Sequence, residues 1–580
     1  MPELSEGAVR IGMVILVCVG VVQPSWVEAQ SADNVAVVVN ESSAESRTIG
    51  DYYVSKRGIP ASNIFRITTS VDEVINRDTF TQSIEWPLRA LISSRRLQDR
   101  LLYIVLTKGV PLRITGQTDA SGTGASVDSE LTLLYRRMVG TYVPLVGYVE
   151  NPYFLKDGDV QRARPFTHRD HDIVLVSRLD GCSVLDVLAL IDRAGASSKE
   201  ELPSRGARTP SVPAGDAAPA LFTAGTLVAS VPPYRATTFR ESLVKATTPG
   251  RTPTGPSGIE VADLVRQGAT AAAGEASQTS IRTPIKTSIV GPAYLAGASG
   301  VEAFYLAMPY LSASTVVVGD PLWAPFRQRT LSLSEIEADI DPDTAQPGLF
   351  AERRLAEMSA ALGYVPRRAL ALTLRAGLYV NAGDLDGARM LLEQVTAMAP
   401  QFATAQFNLG SLYEMVGEYE LAIDRYRRTL QASPPLARPE IGRMFDLANT
   451  MPVHVGALNN LAYLLAVHRH EPAAALPFAR KALAQAPHDP SVLDTLAWIE
   501  YLLGDTTNAA MHIRMALASR IPSDVIALHA ASILAAVNAP TAAENLKDGL
   551  PVRPDVDSSG DAAPMRAVPG GDRNAAPSSN

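Results

Sequence analysis

Residues 403–436 read ATAQFNLGSLYEMVGEYELAIDRYRRTLQASPPL. Small residues stand at Gly410, Ala422 and Thr429, large ones at Leu409, Tyr413 and Tyr426, and Pro434 stops the run. Small side chains let two helices approach closely, and a proline cannot continue the second. The stretch therefore predicts a helix, a turn and a second helix packed back on the first. Stepping back 34 residues gives a copy with Ala376, Tyr379, Gly383, Ala388 and Pro400 at the matching places. A copy with one extra residue runs from about Val455, with Ala462, Ala475, Ala482 and Pro487, and a fourth runs from Pro490, with Ala497, Gly504, Ala509 and Ala516.

This unit resembles the tetratricopeptide (TPR) repeat, a helix–turn–helix of 34 residues that stacks into a solenoid. The copies place repeats 1–2 at residues 369–436 and repeats 3–4 at 455–523. An inserted helix is expected at 437–454, a linker and helix at 331–368, a capping helix at 524–538, and a disordered Pro-, Gly- and Asp-rich tail at 539–580. The first helices of stacked repeats form a concave wall. Phe407, Asn459, Tyr463, Asp494, Trp498 and Tyr501 fall there, so aromatic anchors for an apolar or extended peptide are expected. These positions hold no Lys or Arg, which argues against a basic clamp for a carboxyl-terminal tail. Two plainer uses stay open: the aromatics are core between repeats, or the groove holds the chain's own N-terminal domain.

Composition bounds the rest. The chain has 580 residues, 46% of them hydrophobic and 19% charged, which suits a few globular domains. A net charge of −8 argues against nonspecific nucleic-acid binding. Residues 1–30 read as a secretory signal: the apolar run 11–22 is too short to span a bilayer comfortably, and Val27 and Ala29 suit a cleavage site. An uncleaved anchor is the alternative. The expected location is the periplasm or outside the cell. Beyond Cys18 the only cysteine is Cys182, and no zinc-type Cys/His spacing occurs, so neither metal nor cofactor is expected.

Residues 33–330 read as an α/β domain. Apolar runs at 34–40, 63–69, 101–106 and 173–176 alternate with helical stretches at 46–56 and 77–96, the second kinked at Pro87. Strand–helix alternation predicts a mainly parallel sheet with flanking helices, whose ligands bind beyond the carboxyl ends of the strands. Residues 195–256 read chiefly as loop, followed by a strand within 268–274, a helix at 301–311 and a last strand at 315–318.

Six motifs occur in order: RGIP (57–60), KGVP (108–111), ASVDSEL (125–131), SRLDG (177–181), GAT (268–270) and GDPL (319–322). The set resembles an uncharacterised family of exported bacterial proteins, often extended by TPR repeats. More distantly, the order of elements is similar to the gingipain-type cysteine peptidases, which implies a caspase-like fold over residues 33–327. Those peptidases carry a Gly-His-Gly strand end and a catalytic cysteine at the next strand end. Residues 221–233, where the pair is expected to fall, hold neither a histidine nor a cysteine.

Candidate chemistry is thin. His171 and Cys182 flank one strand, one at each end, too far apart for a dyad. Asp128 and Glu130, if extended, share one face and could bind a cation or share acid/base work. Otherwise Ser126 and Asp128 cap a helix at 130–136. Arg178 and Asp180 follow a strand at the ligand-binding edge and suit an anion, or pair to hold the turn before Gly181. Asp320, before Pro321, ends a strand as a ligand or a turn residue. The expectation is an exported interaction or scaffold protein with a non-catalytic caspase-like domain. The alternative is a hydrolase, a peptidase, with repeats that recruit substrate.

Overall fold

The computed structural model describes residues 30–116, 123–145, 149–196, 225–228, 234–240, 260–276, 285–311, 314–328, 330–432, 452–518 and 524–537. The expected signal segment, the inserted helix and the tail lie outside them, apart from Gln30 and the edges of those ranges.

The N-terminal region is built on strands β1 (Val35–Asn40), β2 (Ile64–Ile67), β3 (Val74–Ile75), β4 (Tyr103–Thr107), β5 (Arg113–Ile114), β6 (Ala125–Ser126), β7 (Leu175–Leu179), β8 (Leu227–Val228), β9 (Tyr234–Arg235), β10 (Ala271–Glu275) and β11 (Thr315–Gly319). The main sheet has the order β2-β1-β4-β7-β11-β10-β8, with β9 alongside β10. β1, β2, β4 and β7 pair in parallel, as do β10 and β8, while β10 and β11 are antiparallel. A mainly parallel sheet is therefore present. Its central strands are buried on both faces, which is why they read as unbroken Val/Ile/Leu runs. A small second sheet, β3-β5-β6, was not legible in the sequence, because two-residue strands carry no periodicity.

Three sequence expectations are corrected in detail. The first helix is Ala44–Arg57, starting two residues earlier than expected and capped by Ser43. The helix around Pro87 breaks into Arg77–Phe80, a π turn at Thr81–Glu85 and Trp86–Ser94. The irregular turn lies just before Pro87, whose missing N–H removes a helical hydrogen bond. The fourth strand is Leu175–Leu179, not 173–176, so Arg178 lies inside a strand instead of after one.

The C-terminal region is all helical. Helices Arg367–Asn381 and Leu385–Met398, Ala403–Met415 and Tyr419–Gln431, Val453–Val467 and Pro472–Gln485, and Pro490–Leu502 and Thr506–Leu517 form four antiparallel pairs. Asp524–Ala536 packs on the last pair. Gly410 shows why the small residues recur: a Cβ there would stand 2.9 Å from the Tyr426 ring. The helix Gly348–Ala361 joins the two regions. Asp99 accepts the backbone N–H groups of Leu349 (2.8 Å) and Phe350 (2.9 Å), and Arg353 donates to the carbonyls of His168 and Arg169.

Candidate functional site

The carboxyl ends of β4 and β7 are adjacent and carry Lys108 and Asp180. Lys108 Nζ lies 3.7 Å from Asp180 Oδ1 and donates to the carbonyls of Gly181 (3.0 Å) and Phe239 (2.9 Å). Residues 237–240 cross over this pair. Glu73 holds them by accepting from Thr238 Oγ1 and the Phe239 N–H, and Glu260 accepts from Thr237. Burial pushes the Asp180 carboxyl up to about 6, against the pull of Lys108 and then Arg178.

Arg178 is wholly buried, and each of its three nitrogens is engaged. Nε donates to both oxygens of Asp128 (3.0 and 2.8 Å), Nη1 to the Val110 carbonyl (3.0 Å) and Nη2 to the Pro111 carbonyl (2.5 Å). Asp180 is a second, longer partner at 3.6 Å. A buried guanidinium satisfied in this way braces the loop after β4 and the helix that carries Asp128. Each nitrogen already has a partner within the domain, and the group is wholly buried.

Asp128 and Glu130 do not form a pair. They lie on the helix Val127–Thr132, capped by Ser126, where residues two apart point to different sides. Asp128 turns to Arg178, and burial raises its pKa while Arg178 lowers it. Glu130 turns to Arg77 (3.0 Å) and Arg137. The extended, two-carboxylate reading is thus corrected. The Ser126 cap is present, although Asp128 sits inside the helix.

Asp320 does not join the group either. Its carboxylate accepts from Tyr53 Oη (2.7 Å), Arg57 Nε (2.6 Å) and the Leu322 N–H (2.9 Å). Tyr53 and Arg57 close a 14-residue helix that starts beyond the carboxyl end of β1. At the start of β11, the Thr315 carbonyl accepts from Ser126 and Ser129, beside Asp128. Of the five strand-end candidates, only Asp128, Arg178 and Asp180 come together. Lys108 is the member that sequence reasoning passed over, although it directly follows a strand at the ligand-binding edge.

His171 and Cys182 stand at opposite ends of β7. His171 packs against Phe166 and Tyr153 near the amino edge. Cys182 is half-buried, and burial pushes its thiol up to about 11, the reverse of what a nucleophile needs. Among the described residues, no group of three or more His, Cys, Asp and Glu is placed to hold a metal ion.

In the helical region, the expected groove residues fall into two sets. Phe407 is core, packed on Tyr426 with ring centroids 5.6 Å apart. Asn459 and Asp494 are also buried, whereas Tyr463, Trp498 and Tyr501 are partly open. The rings form a ladder in which Tyr463 lies 6.5 Å from His529, Trp498 stacks on His529 at 4.2 Å, and Tyr501 lies 5.3 Å from Trp498. His529 Nδ1 contacts both Asp494 oxygens at 3.0 and 2.9 Å. His529 follows Asp494 by 35 residues, one more than the repeat step, which lands on Leu528, so the repeat count alone does not find it.

A tetratricopeptide-repeat family model matches residues 373–437. Solved structures similar to part of the chain include one from a functional characterisation of Pseudomonas aeruginosa pilF (18% identity, 34% of this chain and 81% of that one, TM-score 0.26). Another is YrrB, titled a TPR protein with an unusual peptide-binding site (17%, 33% and 89%, 0.25). A third is PilW, titled a widely conserved type IV pilus biogenesis factor (19%, 34% and 84%, 0.26). No curated protein sequence matches the chain. Among the described residues, no helix is long and apolar enough to cross a membrane. The C-terminal region thus carries tetratricopeptide repeats, joined to an N-terminal region with a mainly parallel sheet and flanking helices.

Proposed function

We propose that this chain is an exported scaffold: its TPR array binds a protein or peptide, and its caspase-like N-terminal domain is a non-catalytic module. The observation that carries this reading is the state of the two adjacent strand ends. The peptidases that the domain resembles place a histidine at one strand end and a cysteine at the next. Residues 221–233, where that pair is expected, hold neither, while β4 ends in Lys108 and β7 in Asp180, a covered ion pair, and the nearby Cys182 has no imidazole beside it among the described residues. Cys182 and His171 are separated by the length of β7, and Arg178 is fully engaged, so neither a nucleophile nor an oxyanion-binding group is offered. No observation favours the hydrolase. Half-open aromatics on the repeats support a binding role.

The test is a peptide library incubated with the full chain and read twice by mass spectrometry, once for peptides retained and once for peptides cut. Retention without cleavage is the expected result. Cleavage that disappears in Cys182→Ala or Asp180→Asn would replace the scaffold with an enzyme. Export is tested by fractionating producing cells and sequencing the amino terminus of the mature protein, which is expected to begin after residue 29 or 30.

A further inference from the structure

We infer that the groove of the last three repeats takes a peptide with cationic side chains, so that lysine or arginine seats among Tyr463, Trp498, Asp494, Glu414 and Asn459. This rests on the binding role proposed for the array and names the chemistry of its partner.

Charge is the first argument. Asn459 and Asp494 share one register position of successive first helices, Tyr463 and Trp498 the position four residues on, and Glu414 and Tyr501 the position three further. These positions hold two carboxylates and no lysine or arginine. The Tyr463 hydroxyl feels both carboxylates. After burial, Asp494 and then Glu414 are what raise its pKa, as expected where the local field favours a positive charge.

Unused acceptor capacity is the second. Asn459 is more than nine-tenths buried, and among the described residues its Oδ1 has no hydrogen-bond partner. Its Nδ2 donates to Asn460 Oδ1, which fixes the amide so that the oxygen is the unpaired atom. A buried acceptor without a donor is costly, and a ligand N–H would relieve it. Asp494 meets only His529 Nδ1, and a carboxylate can accept about four hydrogen bonds. Glu414 accepts from Tyr426 Oη at 2.5 Å, with Asn460 Nδ2 at 3.5 Å.

The ring ladder is the third. Trp498 is partly open, with His529 stacked on one face and Tyr501 tilted beside it, so a cation would meet the exposed part of this ring cluster. Indole is the aromatic best suited to a cation.

The test uses four fluorescein-labelled 12-residue peptides, identical except for four positions that are all Lys, all Arg, all Gln or all Glu. Anisotropy with the full chain is expected to show the Lys and Arg peptides binding about tenfold or more tighter than the Gln peptide. The Glu peptide is expected to bind weakest, and added salt should weaken the cationic peptides. Trp498→Ala and Glu414→Gln are each expected to weaken the Lys peptide about three- to tenfold, with helicity by circular dichroism unchanged. Glu414→Gln keeps the size of the side chain, so its loss is not one of folding. Equal binding of the Lys and Gln peptides that Trp498→Ala removes would overturn the cationic partner and leave the scaffold standing. Lys binding untouched by both variants would overturn it as general attraction to an acidic protein. Failure of every peptide to bind would overturn it together with the groove itself.

Discussion

Arg178 in the sheet domain and Asn459 in the repeat array are both more than nine-tenths buried polar residues. Arg178 has all three nitrogens engaged by residues drawn from a loop and a helix, whereas Asn459 leaves an amide oxygen unpaired among the described residues. The first is a brace, and the second is unfinished. The same contrast holds around them. Lys108, Asp180, Asp128 and Glu130 are matched inside the domain, and residues 237–240 cover Lys108. Tyr463, Trp498 and Tyr501 stay partly open on the repeats. A polar cluster at a ligand-binding edge is therefore evidence of function only if some of its valence is left over.

The largest expected effect comes from breaking the brace. Arg178→Met would leave Asp128 buried without its cation and remove the second of Asp180's two, and is expected to cost about 3–5 kcal/mol. Urea unfolding followed through the buried Trp323 checks this. A loss below about 1 kcal/mol would mean that the sheet domain does not depend on the pair. Next, Asp99→Ala removes the cap that ties the helix Gly348–Ala361 to the sheet domain, at about 1–2 kcal/mol. Limited proteolysis between the two regions should accelerate, and unchanged cleavage would show that the junction is held elsewhere.

A smaller effect is a pH dependence. Asp180 titrates at about 6 when folded and near 3.9 when unfolded, so the folded chain holds the proton more tightly. Its contribution to stability is full below about pH 4 and is lost as the pH rises through about 6. The difference between wild type and Asp180→Asn should follow that window. A difference that grows with rising pH would reverse the sign. The smallest expected effect is that of Cys182→Ser, below about 1 kcal/mol and without any change in peptide binding, because the thiol is half-buried and makes only a 4.0 Å contact to Asp263.

The stretches that read well are those whose signal is local. Alternating small and large residues with a terminal proline gave the repeats and their register. Groove positions followed from that register, although His529, one residue past the next step from Asp494, did not. Apolar runs gave β1, β4 and β11 to within a few residues. The candidate site read poorly because its meaning lies in partners far along the chain. Arg178 closes on Asp128 from 50 residues away, and Asp320 closes on Tyr53 from 267. A two-residue shift in β7 moved Arg178 from beyond a strand to within one.

By itself, then, the sequence determined a mainly parallel sheet region followed by stacked helix pairs. Helix and strand periodicity and close helix contact are written in neighbouring residues. Only the tertiary structure decided which polar side chains are spent and which are not. A hydrogen bond is settled by where the partner arrives in space, and the partners of Arg178 and Asp320 come from far along the chain.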